Sequence, residues 1–204
     1  MTEQDKRKLK GIKTKELILH TTLEIMFEEG TKAITTRNIV KRSGIGKGSL
    51  YHHFDTIDDI IFEAMMIVVN QYSKGIENLE FTTLEEFIKR IGYLTIDTII
   101  EHADHGKSAI GLWEMILNND KYLELINQKS TEFPSLISKI MYQNIKNDKI
   151  SKKTLDEVAL SLYTSLMGME ISIYMNPNEK LFKDMWNTTT KILLNYLNHA
   201  GDDL

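Results

Sequence analysis

The run ITTRNIVKRSGIGKGSLYHHF at residues 34–54 gathers the side chains best suited to chemistry in this chain. Thr35, Thr36, Arg37, Lys41, Lys47, Ser49, Tyr51, His52 and His53 can each donate a hydrogen bond, and no acid interrupts them. A phosphate backbone calls for donors and positive charge, and a carboxylate on the same surface would repel it. Gly46 and Gly48 flank Lys47, so backbone N–H groups there can approach a phosphate closely while the lysine reaches toward guanine O6 and N7 in a major groove. An ordinary glycine-bounded helix pair with surface cations would use the same residues. The unbroken order of donors favours the duplex.

The elements that must position this ridge are legible. Thr35 is a good N-cap, and Ile34 can staple onto Ile39. Ser43-Gly44 stops the helix after Arg42, and Gly46 and Gly48 bracket the start of a second short segment, Lys47–His53. Two short helices around a tight glycine turn have the layout of a helix-turn-helix. Ile39, Val40, Ile45, Leu50 and Phe54 are spaced to pack them together and onto a preceding helix. That first helix carries a stripe of Ile12, Leu17, Leu19, Leu23, Met26 and Phe27, and Glu28-Glu29-Gly30 ends it with a left-handed glycine. Thr56 caps a longer helix through Ile60, Phe62, Met65, Met66, Val69 and Tyr72. Further 3.6-residue patterns run over Leu84–His102, Ala109–Asn118, Lys121–Asn147, Leu155–Met175 and Glu179–Leu197. The expected fold is all-α with about nine helices: a three-helix head over residues 1–56 and a larger helical domain over 57–204, connected by the helix at 57–74.

Composition agrees. The 204 residues are 42% hydrophobic and 26% charged, near the globular average. The absence of cysteine excludes disulfides, thiolate zinc sites, iron–sulfur clusters and cysteine redox switches. Residues 1–54 hold 11 Lys/Arg against 6 Asp/Glu, and residues 55–204 hold 14 against 23, which together make the net charge of −4. Either a polyanion-binding head or a solvated lysine-rich tail satisfies that balance. No apolar run follows MTEQDKRKLK, so it does not read as a secretory signal, and a cytoplasmic location is expected. Val158–Met175 reaches the minimum length of a membrane span, but its Ser161, Thr164, Ser165, Gly168 and Ser172 suit a soluble helix buried on both sides. No membrane partner is expected.

The string Thr35-Thr36-Arg37-x-Ile39-Val40-x-x-Ser43-Gly44-Ile45-Gly46-Lys47-Gly48-Ser49-Leu50-Tyr51-x-His53-Phe54 resembles the DNA-binding signature of tetracycline-repressor-like (TetR-family) transcriptional regulators, over roughly residues 12–65. The resemblance implies that Thr35 and Thr36 meet phosphates, with Arg37 close to backbone or base. Lys47, Gly48 and Ser49 would face base edges, and Tyr51 and His53 would clamp phosphates with His52 nearby. It implies a ligand-responsive regulator, in family habit a repressor, that binds a near-palindromic operator as a homodimer and is released by a small-molecule effector. One position departs: the family commonly places a lysine three residues after the phenylalanine, where this chain has Ile57. Lys41 or the amino-terminal lysines are the candidates to compensate.

The resemblance also implies a carboxy-terminal domain that dimerises through its last two long helices and holds an effector pocket. Ser161, Ser165, Gly168 and Ser172 line one face of an apolar helix and permit close helix approach, and Ile192, Leu193, Tyr196 and Leu197 form a facing stripe. The same helices would otherwise fill a monomer core. Candidate pocket residues are Tyr93, Trp113, Met115, Ile116, Tyr142, Tyr163, Met167 and Glu170, although aromatic and methionine side chains at helical spacing are commonly plain core. Glu170, a lone carboxylate in an apolar helix, either pairs across an interface or meets a cationic ligand group, because burial without a partner is costly. Glu101-His102-x-Asp104-His105 offers metal-ligand types without an obvious fourth ligand. No cofactor, metal site or catalytic residue is assigned. The alternatives are an all-helical enzyme using His102, Asp104, Glu114 or Glu170, and an interaction protein that does not touch DNA.

Overall fold

A computed structural model describes residues 2–101, 106–144 and 150–199, with the side chains of 106–110 and 112 outside that description. Among the described residues there are nine α-helices, one 3-10 turn and no strand, so the fold is all-α. The helices are α1 (Glu3–Glu29), α2 (Thr36–Ser43), α3 (Lys47–His53), α4 (Ile57–Glu77), α5 (Leu84–Glu101), α6 (Gly106–Leu117), α7 (Asp120–Asn144), α8 (Lys152–Met175) and α9 (Glu179–His199).

Polar side chains start most of them. Thr2 and Asp5 form a reciprocal capping box, and Thr35, Thr56, Thr83 and Ser151 each accept a backbone N–H three residues on. Gly44 ends α2 in the left-handed region at φ 70°, which turns the chain sharply toward α3. Gly30 ends α1 at φ 89° with an extended ψ, and the 3-10 turn Thr31–Ala33 follows it.

The chain forms two compact units. One comprises Met1–Gln71 with Lys107–Tyr122, and the other Tyr72–Gly106 with Leu123–Leu204. In the first, Ile18, Ile25 and Met26 of α1, Ile39 of α2, Leu50 of α3, and Ile60 and Ala64 of α4 are all buried, and α1, α2 and α3 pack on one another. Arg42 adds a polar tie, its guanidinium reaching Glu28 at 2.6 Å, Glu29 at 3.0 Å and Glu24 at 3.5 Å, all on α1. Those hydrogen bonds to Glu28 and Glu29 raise the arginine's pKa further. Tyr122 closes the same unit by donating to the Asp58 carbonyl at 2.9 Å and stacking on Phe62.

In the second unit α5, α8 and α9 pack together around Trp186, which is fully buried. Its indole N–H donates to the Ile88 carbonyl at 2.8 Å, and the ring occupies the space a Cβ on Gly92 would take, 1.9 Å from the indole nitrogen. Only glycine admits so close an approach. Leu155, Val158, Ala159, Leu162, Leu166, Met169 and Ile173 bury the inner face of α8.

Three expectations need correction. The stripe on α1 is narrower than expected, since Ile12 and Leu17 are exposed and burial begins at Ile18. The capping box starts the helix at Glu3, ahead of the residues that have anything to pack against. The segment Val158–Met175 is covered on one side only: Leu160, Ser161, Ser165, Gly168, Ile171, Ser172 and Met175 lie open to solvent. Its helix passes the length and hydropathy test for a membrane span, but its inner face is built into the core of its unit. Leu197, placed on the outward stripe of α9, is buried because it belongs to that helix's inner face, whereas Ile192 and Tyr196 are exposed and Leu193 is half-buried.

Candidate nucleic-acid interface

The two short helices carry the donor ridge. Thr35 uses its hydroxyl oxygen to cap α2 through the Asn38 N–H at 3.2 Å, which leaves its own O–H free to donate outward. One residue on, the Thr36 hydroxyl shares a 2.8 Å hydrogen bond with the hydroxyl of Tyr51 on α3. This bond fixes the exposed phenol beside the start of α2. The ammonium of Lys47 lies over the same ring, 5.9 Å from its centre, so the lysine and tyrosine form one exposed group. His52 and His53 meet edge to face at 5.3 Å, with His52 exposed and His53 half-buried against α1.

Arg37 and Lys41 are exposed and have no ion-pair partner among the described residues, whereas Arg42 is engaged by its three glutamates. Sequence reasoning gave that arginine no partner, although Glu24 and Glu28 stand four residues apart and so share a face of α1. The ridge is held from behind by Lys15, whose ammonium is 2.7 Å from Glu63 and 5.1 Å from the centre of the Phe54 ring.

Gly46 and Gly48 are both exposed, and a Cβ built on either would meet nothing within 4 Å. Neither has a positive φ. Intramolecular packing therefore does not demand glycine at these positions.

The pocket candidates are divided between the two compact units. Trp113, Met115 and Ile116 belong to the first compact unit, with Ile116 buried and Trp113 and Met115 half-buried. Tyr93 donates to Asn187 at 2.9 Å and carries the Lys183 ammonium over its ring. Tyr142 does not face inward as expected: it is 62% exposed, because the stripe it occupies on α7 lies opposite the buried Ile137 and Met141. Tyr163, Met167 and Glu170 do share one flank of α8, together with Tyr174. Phe133 stacks on Tyr163 at 6.0 Å and meets Tyr72 edge to face at 5.5 Å, and the Tyr72 and Thr95 hydroxyls are 2.7 Å apart. Burial raises the Glu170 carboxyl pKa and pushes the phenols of Tyr72 and Tyr174 up to about 12. His102, Asp104 and His105 lie outside the described residues. Among the described residues no three His, Asp or Glu side chains gather into a metal site.

Comparison with known proteins places this geometry. Residues 18–64 match the family described as "Bacterial regulatory proteins, tetR family". The HTH-type transcriptional regulator PksA of Bacillus subtilis (strain 168) is 30% identical over 67 residues, which is 33% of this chain and 33% of that protein. The HTH-type transcriptional repressor KstR2 of Rhodococcus jostii (strain RHA1) is 26% identical over 141 residues, 67% of each. The alignments thus span a third of one relative and two thirds of the other.

Two solved structures share the fold: a transcriptional regulator from Rhodococcus sp. Rha1 and a TetR transcription regulator from Haloarcula marismortui ATCC 43049. The first superposes with a TM-score of 0.70 at 13% identity over 89% of this chain and 96% of its own. The second gives 0.68 at 15% identity over 91% and 98%. The segment that carries α2, α3 and their donor ridge is thus the part of the chain that matches the tetR family of bacterial regulatory proteins.

Proposed function

We propose that this protein is a cytoplasmic transcriptional repressor that binds a near-palindromic operator as a homodimer and releases it when a small molecule occupies the larger helical unit. The observation that carries this reading is Gly48. It is the second residue of α3, and nothing within its own chain needs the missing side chain. A surface from outside, in close contact, explains it, and a ridge of donors without acids matches a duplex. Thr35, Thr36, Tyr51 and His53 then hold phosphates, while Lys47 and Ser49 reach base edges with Arg37 at the rim. The head is residues 1–56 and the effector and dimer domain 57–204.

Dimerisation is assigned to the open faces of α8 and α9. Ser161, Ser165, Gly168 and Ser172 allow close approach, and Leu160, Ile171, Met175, Ile192 and Tyr196 supply exposed apolar area that a second copy would cover. A two-helix reader needs two half-sites for affinity, which supports a paired state. The effector site is assigned to the flank bearing Tyr163, Met167 and Glu170. Its carboxyl has no hydrogen-bond or ion-pair partner among the described residues, which favours an effector with a cationic or strongly donating group.

Selection of bound sequences from a random duplex pool tests the function. An inverted repeat should emerge, Lys47→Ala should lose sequence preference, and Tyr51→Ala should weaken binding to all sequences. No enrichment over the pool would reject it.

A further inference from the structure

The amino-terminal turns of α1 form a second strongly charged surface. Between Asp5 and Glu16 there is no acid, and Lys6, Arg7, Lys8, Lys10, Lys13 and Lys15 fall within that span. Residues 2–10 are all exposed, yet the Thr2–Asp5 capping box makes this stretch helix from Glu3 onward. Of these cations only Lys15 has an ion-pair partner among the described residues.

The side of α1 that carries Lys15 is registered against the donor ridge. Lys15 lies on Phe54 and Glu63, and one turn earlier Gly11 lies beside His53, whose Cε1 would be 3.8 Å from a Cβ there. Arg7 and Lys8 stand four and three residues before Gly11, on that same side, about 4.5–6 Å further along the axis. They therefore extend past His53, the last residue of α3.

We infer that Arg7 and Lys8 form a further phosphate-binding site, which grips the duplex backbone flanking each half-site next to the phosphate met by His53. This rests on the reading of the chain as a DNA-binding protein. Helical pre-organisation lowers the entropy lost when they engage, compared with a disordered basic tail. Lys6, Lys10 and Lys13 lie on other faces of the helix and add only general positive field. Leu9 and Leu17 share the face that carries Lys6, Lys10 and Lys13, so the apolar residues of this stretch lie away from Arg7.

The experiment compares wild type, the double variant Arg7→Ala/Lys8→Ala and the charge-matched control Lys6→Ala/Lys13→Ala on the selected operator across a salt series. The proposal expects Arg7→Ala/Lys8→Ala to flatten the log affinity against log salt slope by about 1.8 per head and to weaken binding at least about tenfold at low salt, with sequence preference intact. The control should change the slope by much less. Trimming the flanking base pairs should erase the difference between wild type and Arg7→Ala/Lys8→Ala.

Equal losses in both double variants would mean a general field and overturn the site, as would an unchanged slope. Anionic vesicles run in parallel give a third contrary outcome, in which Arg7→Ala/Lys8→Ala loses vesicle binding and keeps the full DNA slope. Circular dichroism confirms that the variants fold, because alanine is the strongest helix former. If wild type enriches no duplex at all, the fault lies with the DNA-binding function and not with this site.

Discussion

Replacement of Gly48 by alanine separates folding from binding in a single atom. The backbone there is helical and the added Cβ has no neighbour within 4 Å, so the fold gains helix propensity without a clash. The expected gain is about 0.4–1 kcal/mol, which in a chain of this size raises the melting temperature by about 1–4 °C. On the duplex the same methyl group stands between α3 and the groove. Overpacking of a close contact costs about 1–3 kcal/mol, or roughly a fivefold to 150-fold loss of affinity at each half-site. Thermal unfolding and fluorescence anisotropy titration of the operator on the same preparations give the two numbers. Opposite signs are the signature. A variant that is more stable and binds as tightly as wild type would mean that α3 does not lie against its target at Gly48, and the docking argument would fail at its root.

Other consequences follow from single contacts. Gly92→Ala places a Cβ where the Trp186 indole lies and should destabilise the protein by about 3 kcal/mol or more, read by urea denaturation. Tyr51→Phe removes the hydroxyl bonded to Thr36; stability should change by less than about 1 kcal/mol while operator affinity falls several-fold. Ile192→Glu puts a charge at the centre of the open face of α9 and should yield a monomer by light scattering, with the circular dichroism of wild type. Glu170 gives a pH signature. Burial holds its pKa above 4.5, so the folded chain keeps a proton that the unfolded chain has lost, and stability falls as pH rises from 4.5 through the folded value before levelling. Glu170→Gln lacks this loss: its unfolding curve should coincide with wild type at pH 4 and show greater stability at pH 7.

Much of the head was legible because its signals are local. Thr35, Ser43-Gly44 and the glycines around Lys47 are caps and turns whose meaning depends on a few neighbours, and they set α2 and α3 correctly. The start of α1 was equally local, since Thr2 and Asp5 already spell a capping box, but the apolar stripe drew attention to Ile12 and Leu17, which have nothing to pack against. The larger unit was harder. The fit of Trp186 onto Gly92 joins residues far apart in the chain, and no periodicity announces it. The stripe of Ser161, Ser165, Gly168 and Ser172 sets the open side of α8 apart from its buried side, but small residues suit a close helix contact as well as solvent. Tyr93, Trp113 and Tyr163 looked equivalent as aromatic residues at helical spacing; only the tertiary fold sends them to different surroundings.

The indole seated on Gly92 also limits how this protein can move. A ring lodged in the notch left by a missing side chain, and hydrogen-bonded to the carbonyl just beneath it, works as a key: α9 can neither slide along α5 nor rotate against it without expelling the ring. Those two helices are then a fixed frame. The aromatic flank around Tyr72, Phe133 and Tyr163 has no such notch, so a rearrangement of this unit that leaves the key seated falls to it.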